Sequence, residues 1–323
     1  MTITAIDSRI SVSPTDFFEL PTVLRIRDSL EIGLTDRSYL PKSSDLRSDW
    51  VASVATPAFK ALAQTGASVP RFCTIGTGAG LDALAAIEIL KSDTVAFTDL
   101  HQDVVDRARH NILDNLRPDV RVELISGAGD ILAPLAGEAV NFDVIYENLP
   151  NIPLSEAGDI RDGQTSSTFI AKRSEPIPKF AEQYLITLHY LALEQARPML
   201  RSGGRVLSSI GGRVPLRQIL NLAEHTGYRG NILTYTWKRQ SEPEEVIGGY
   251  AAWEARGHGP FHFYPASILA ETFDGMSVHA AGAQALAIEA ALSSHEITAT
   301  EALIQLRAGQ DIGHTVGILE SVK

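Results

Sequence analysis

A doubly wound α/β fold is what this 323-residue sequence predicts, and three observations predict it. First, three glycines, Gly76, Gly78 and Gly80, join a short apolar run (Phe72 to Ile75) to apolar residues at helical spacing (Leu81 to Leu90). Second, strand-like and helix-like patterns alternate along the chain after that turn. Third, the predicted strands end in Asp99, Asp130 and Asn148, at the carboxyl ends where open α/β sheets meet their ligands.

The glycine turn organises the reading. Glycine reaches backbone angles that side chains forbid and lets a ligand approach the main chain, while the free N–H groups of the following helix attract polar groups. Taken alone, such a turn serves a dinucleotide, another adenosine-containing cofactor, or simply a tight strand-to-helix connection.

Ahead of it, residues 1–66 read as a helical cap or lid. Pro21 precedes an apolar helix pattern (Val23, Leu24, Ile26, Leu30), and Trp50 to Ala63 forms a second helix. The polar stretch between them is a linker or a lid over a ligand, with Tyr39, Arg47 and Trp50 as the residues a lid would use.

After the turn, the strand Thr94 to Thr98 ends in Asp99, about 20 positions beyond the glycines, where an acid accepts hydrogen bonds from ribose hydroxyls. His101 to Leu116 is an amphipathic helix with Val104, Val105, Ala108 and Ile112 on one face. Val120 to Ser126 gives a third strand ending in Gly127 to Asp130, and Asp130 either reaches an adenine amino group or caps the next helix. The fourth strand, Asn141 to Tyr146, runs into Glu147-Asn148-Leu149-Pro150-Asn151, a polar side chain and a stiff backbone at a strand end.

Leu154 to Lys179 is a long irregular stretch of the kind that covers active sites. A helix over Phe180 to Leu200 follows, then a break at Ser202-Gly203-Gly204, a strand Arg205 to Ile210, a helix Pro215 to Thr226 and a strand Asn231 to Lys238. The segment 241–255 forms a hairpin or a short helix, and His262 to Tyr264 an edge strand stopped by Pro265. Residues 67–265 are read as one catalytic domain, and residues 266–323 as a helical extension with patterns over Ala280 to Leu292 and Thr298 to Leu306.

Composition narrows the classes. A formal net charge of −11 opposes a nucleic-acid binder, since neutralising phosphates takes clustered Lys and Arg. The start carries neither a basic and apolar export signal nor an Arg-rich transit pattern, so a cytoplasmic location is expected. No apolar run is long enough to span a membrane. The single cysteine, Cys73, excludes an intrachain disulfide and reads as a core thiol. Gly259 and Pro260 separate His258 from His262 and oppose a helical metal pair, so no metal is expected.

Over about Ser68 to Lys238 the chain resembles the class I S-adenosylmethionine-dependent methyltransferases. IGTGAG looks like that family's first motif, Asp99 like its ribose-binding acid, Gly129-Asp130 like its adenine-side motif, ENLP like its fourth motif, and LRSGGRVL like the loop before its fifth strand. The resemblance implies a Rossmann-like sheet of seven strands, parallel except for one, with S-adenosylmethionine across the strand ends. It also implies that Gly76, Thr77, Gly78 and Gly80 pass under the methionine part, that Asp99 with Leu100 beside it meets the ribose, and that Gly129 and Asp130 meet adenine. Asn148 then faces the sulfonium, with Glu147 and Tyr184 as further catalytic candidates and Tyr146, Phe169 and Phe180 as aromatic neighbours.

In this family, Asn or Asp followed by two prolines and an aromatic accompanies methylation of planar nitrogen groups. Here Asn148, Leu149, Pro150 and Asn151 keep the asparagine and second proline and lose the aromatic. The expected activity is therefore methyl transfer to nitrogen or oxygen of a small molecule, as in bacterial-type secondary metabolism. Three alternatives stand beside it. The chain's NLPN motif, N-terminal cover and tyrosines are similar to what an azetidine-2-carboxylate synthase would require, an enzyme in which the cofactor's own amine attacks its γ-carbon and releases methylthioadenosine. A non-catalytic S-adenosylmethionine-binding protein and a nicotinamide dehydrogenase are the others. The expected partners are a small substrate or the cofactor alone, and a second copy in a homodimer, with neither nucleic acid nor membrane.

Overall fold

The computed structural model describes residues 9–138, 140–154, 168–170 and 173–323. Twelve strands lie among them: β1 (Arg9–Val12), β2 (Leu30–Gly33), β3 (Arg71–Ile75), β4 (Thr94–Asp99), β5 (Glu123–Ala128), β6 (Phe142–Glu147), β7 (Ile152–Leu154), β8 (Thr168–Ile170), β9 (Leu200–Gly211), β10 (Arg229–Arg239), β11 (Tyr264–Pro265) and β12 (Ile312–Val322). The main sheet runs β10-β12-β9-β6-β3-β4-β5, with the short β11 joined to β12. β3, β4 and β5 pair in parallel, and β12 is antiparallel to both β9 and β10. This is the predicted α/β sheet of seven principal strands with one reversed. Among the described residues, no helix is long and apolar enough to cross a membrane.

The chain divides into two compact units, Met1–Tyr146 with Pro198–Gly204, and Glu147–Arg197 with Arg205–Lys323. In the first unit, Phe72, Cys73, Val95, Ala96 and Phe97 are buried, as expected of apolar residues in parallel strands covered on both faces. Phe59, from the helix Thr56–Gln64, stands edge-on to Phe72 and to Tyr146, at ring distances of 5.4 and 5.2 Å. Tyr146 thus belongs to this core.

The N-terminal segment departs from its helical expectation. β1 and β2 form an antiparallel ribbon, and residues 22–28 do not coil. Their backbone donors have another acceptor: the N–H groups of Leu24, Arg25 and Ile26 donate to the buried Glu88 carboxylate at 2.9, 2.7 and 3.1 Å. An acid accepting three main-chain N–H groups replaces the hydrogen bonds a helix would have made. The second expected helix is present over Val51–Ala55 and Thr56–Gln64. Tyr39 and Trp50 are partly buried and Arg47 is exposed.

In the second unit, the helix expected over Phe180 to Leu200 is two helices, Lys179–Gln183 and Thr187–Met199. Leu185 lies between them with φ +56°, and its carbonyl accepts the Asn151 side-chain N–H at 3.1 Å. A side chain distant in sequence thereby fixes a left-handed residue that local pattern does not announce. In the first unit, β9 begins at Leu200 and runs through the expected break. A Cβ at Gly204 would come within 2.8 Å of the Phe142 carbonyl oxygen, so this glycine allows a close strand approach. The segment 241–255 resolves as the helix Pro243–Glu254, and the edge strand is Tyr264–Pro265.

The extension 266–323 is helical only in part. The helices Ala266–Thr272, Val278–Ala283, Ala285–Leu292 and Ala299–Arg307 are followed by β12, which the sequence reading missed. Gly313 and Gly317 obscure its strand pattern. At Gly313 a Cβ would meet the Lys238 carbonyl oxygen at 3.0 Å and Leu269 Cδ1 at 2.9 Å, so this glycine is a packing requirement of an interior strand.

Candidate functional site

The glycine turn sits where β3 passes into the helix Leu81–Ala85. Its three glycines have φ of +72°, +53° and +84°, the left-handed region that residues with a Cβ avoid. The turn is stitched to the end of β4: the N–H groups of Gly76 and Thr77 donate to the Thr98 carbonyl at 2.9 and 3.1 Å. Gly78 N–H donates to the Asp99 carboxylate at 3.1 Å, and Gly129 N–H donates to the Asp99 carbonyl at 2.9 Å. Asp99 is therefore the node at which the ends of β3, β4 and β5 converge.

The space around the node differs from glycine to glycine. A Cβ at Gly80 would lie 3.3 Å from the Ala108 carbonyl oxygen, whereas one at Gly78 would meet nothing within 4 Å. Gly80 serves helix packing, and Gly78 faces open room beside the Asp99 carboxyl. Burial raises the Asp99 pKa, opposed by hydrogen bonds from the backbone N–H groups of Gly78, His101 and Leu100. The Leu100 side chain itself is exposed. At the end of β5, Gly127 and Gly129 lie against Pro134, where Cβ atoms would approach its ring carbons to 2.6 and 2.9 Å. Asp130 is partly buried, and its carbonyl accepts the Ala133 N–H at 2.9 Å.

Under the turn lies an acid that the sequence reading did not single out. Asp82 accepts hydrogen bonds from the Thr74 hydroxyl, the Thr77 hydroxyl at 3.1 Å and the Ala83 N–H at 2.8 Å. Burial pushes its pKa up to about 6. The inward Thr77 side chain belongs to this network. Asn111 holds the turn from the other side, its amide donating to the carbonyls of Ala79 at 3.0 Å and Gly33 at 2.8 Å. Lone polar residues in otherwise apolar helix patterns were the available signals. Cys73 is a buried free thiol whose pKa burial raises further.

Glu147, Asn148 and Tyr184 lie in the second unit. Asn148 leaves β6 partly exposed, and Tyr184, also partly exposed, ends the helix Lys179–Gln183. Glu147 is fully buried, with both carboxylate oxygens 2.8 Å from Nδ1 of the equally buried His189. His189 Nε2 is buried without a hydrogen-bond partner. The hydrogen bonds from Asn151 to Leu185 and from His189 to Glu147 draw the segment 147–151 against 184–189. His189 was missed because it interrupts the apolar helix face of Leu188, Leu191 and Ala192 with no local partner to mark it.

Of the remaining candidates, Phe180 lies 4.5 Å from the His225 ring. Phe169 and most of the expected covering stretch fall outside the residues whose side chains are described. His258 Nδ1 is 3.1 Å from the Glu182 carbonyl, and His262 Nδ1 is 3.2 Å from Glu296, so the two rings have separate partners.

No family model and no curated relative matches the chain. Solved structures do. The YcgJ protein of Bacillus subtilis is similar at 11% identity, over 82% of this chain and 97% of that one, with a TM-score of 0.41. The N-methyltransferase NodS of Bradyrhizobium japonicum, solved with S-adenosyl-L-homocysteine, is 14% identical over 58% of this chain and 78% of its own, with a TM-score of 0.36. The ribosomal protein L11 methylase of Lactobacillus delbrueckii is 15% identical over 57% and 72%, also at 0.36. With TM-scores below 0.5, these likenesses carry no functional argument.

Proposed function

We propose that this chain is an S-adenosylmethionine-dependent methyltransferase that acts on nitrogen or oxygen of a small molecule. The observation that carries the proposal is the Asp99 node: an acid held by the Gly78 N–H, at the meeting point of three strand ends, with open room beside the glycine. A carboxylate there suits the two hydroxyl donors of a ribose, and the glycine turn leaves main-chain surface for the methionine part. When bound, S-adenosylmethionine supplies an electrophilic methyl group on a positively charged sulfur.

The chain's residues bind and orient. Asp99 accepts the ribose hydroxyls, the turn excludes side chains from the cofactor's path, and the Asn148 amide offers both a donor and an acceptor to a nucleophile. Both Glu147 oxygens are engaged by Nδ1 of the equally buried His189, so this pair anchors the strand end that carries Asn148.

The test is incubation of the purified chain with S-adenosylmethionine, alone and with small-molecule extracts, followed by mass spectrometry. S-adenosylhomocysteine that appears only with an acceptor, together with a product heavier by one methylene, is the expected result. Methylthioadenosine formed from the cofactor alone would instead establish intramolecular cyclisation, and absence of cofactor binding would overturn the proposal.

A further inference from the structure

The second unit contains a buried cation that no acid among the described residues balances. Arg213 follows Gly211 and Gly212 at the end of β9 and is 3% exposed. Its Nη1 donates to Gln240 Oε1 at 2.8 Å and lies 3.1 Å from His314 Nε2, and the Tyr250 ring centroid is 4.9 Å from its Cζ. All three partners are neutral. His314, buried beside the charges of Arg213 and Lys238, is held well below the usual histidine range, and its Nδ1 donates to the Thr315 carbonyl at 2.8 Å. Nε2 is then the unprotonated nitrogen that accepts from arginine. Tyr250 remains a phenol because burial raises its pKa against the pull of the cation. Among the described residues, no carboxylate forms an ion pair with Arg213, and its Nε is buried with no hydrogen-bond partner.

A guanidinium cannot escape this position by losing its proton, as a buried lysine or carboxylate can. Buried charges in folded proteins are paired or coordinate a ligand, because desolvation of an unpaired ion is among the largest penalties a fold can carry. The fold also makes room for the group. A Cβ at Gly211 would approach Arg213 Nη2 to 2.5 Å, so the guanidinium plane lies against bare main chain.

We infer that Arg213, set by Gln240, His314 and Tyr250 against Gly211, is a binding site for the carboxylate group of a small-molecule ligand. A guanidinium charge matches a carboxylate charge, and the unsatisfied Nε–H offers a donor to one of its oxygens. The site lies beside the apolar residues that surround Tyr250, Phe261 and Phe263, which favours an organic acid over a fully hydrated inorganic anion. The carboxylate belongs to a small organic acid. The inference extends beyond the methyltransferase reading and stands if that reading fails.

The test uses the full chain and two isosteric probes, sodium acetate and neutral acetamide, at constant ionic strength set with chloride. Acetate should raise the thermal midpoint with saturating concentration dependence, and acetamide should not. Arg213→Met should abolish the acetate response, and Arg213→Lys should retain part of it. An acetate response that is absent, or that survives unchanged in Arg213→Met, overturns the inference. Should the methionine variant not fold, the Arg213 Nε–H resonance of the unmodified chain, assigned with Arg213→Lys, decides: it must shift on titration with acetate and stay still with acetamide.

Discussion

Two carboxyl groups in the first unit make opposite demands on pH. Asp99 must be ionised to accept two ribose hydroxyls, yet burial raises its pKa, so cofactor affinity should fall on acidification earlier than an ordinary aspartate would dictate. Asp99→Ala should weaken S-adenosylmethionine binding roughly 10- to 100-fold, the loss of one or two hydrogen bonds to a charged group, measured by calorimetry. Unchanged affinity would show that the ribose lies elsewhere. Asp82 acts on folding instead. Its pKa is about 6 in the folded chain against an ordinary 3.8, so between those values the folded state holds a proton that the unfolded state has lost. Stability from this group is therefore full below the ordinary value and declines as pH rises through about 6, by at most about 3 kcal/mol. Asp82→Asn, which keeps an acceptor for Thr77 and Ala83, should remove that slope from urea unfolding measured between pH 4 and 7, taken as roughly the bracket of the two values. A slope that persists in the variant would assign it to another group.

At the scale of elements, the N-terminal ribbon and the glycine turn are joined through one helix, Gln102–Asn115. Asn111 and Asn115 are four apart and project from the same face, and each pairs its side-chain amide with the backbone of β2. Gly33 N–H donates to Asn111 Oδ1 and Glu31 N–H to Asn115 Oδ1, both at 2.9 Å, while the amide nitrogens return hydrogen bonds to the same two residues' carbonyls. Only Asn111 also reaches the turn, at Ala79. Asn111→Ala should therefore cost roughly 1–3 kcal/mol from unsatisfied buried groups and also weaken cofactor binding. Asn115→Ala should lower stability comparably with little effect on the cofactor. Equal effects of both variants on binding would refute the link through Ala79. This architecture explains what was legible beforehand. The turn, β4 and Asp99 were readable because their logic is local, a spacing of glycines and an acid within one βαβ unit. The N-terminal helix was misread because Glu88, more than 60 positions away, takes the donors on which helical periodicity depends.

Over the whole molecule, the same distinction separates what sequence pattern reveals from what only the fold assembles. His189 meets Glu147 across 42 residues and Arg213 meets His314 across 101, so neither pairing leaves a motif. β12 was hidden because its glycines answer to neighbours on other elements. Net charge is the global property that sequence gives outright, and it leads to a prediction about partners. Against 39 acidic residues stand 28 Lys and Arg, and several of these cations are already committed, as in Arg25–Asp93, Arg117–Asp28, Arg201–Asp143 and Arg307–Glu244. A polyanion gains affinity by releasing counterions to clustered, uncommitted cations, and here it meets a surface of its own sign. Duplex DNA and transfer RNA should therefore give no mobility shift at ~0.15 M salt, with dissociation constants weaker than about 10⁻⁴ M. At lower salt, any retention should disappear steeply as chloride is added. A complex that survives physiological salt would require a basic surface strong enough to outweigh the net charge, and would move the acceptor from small molecules to nucleic acid.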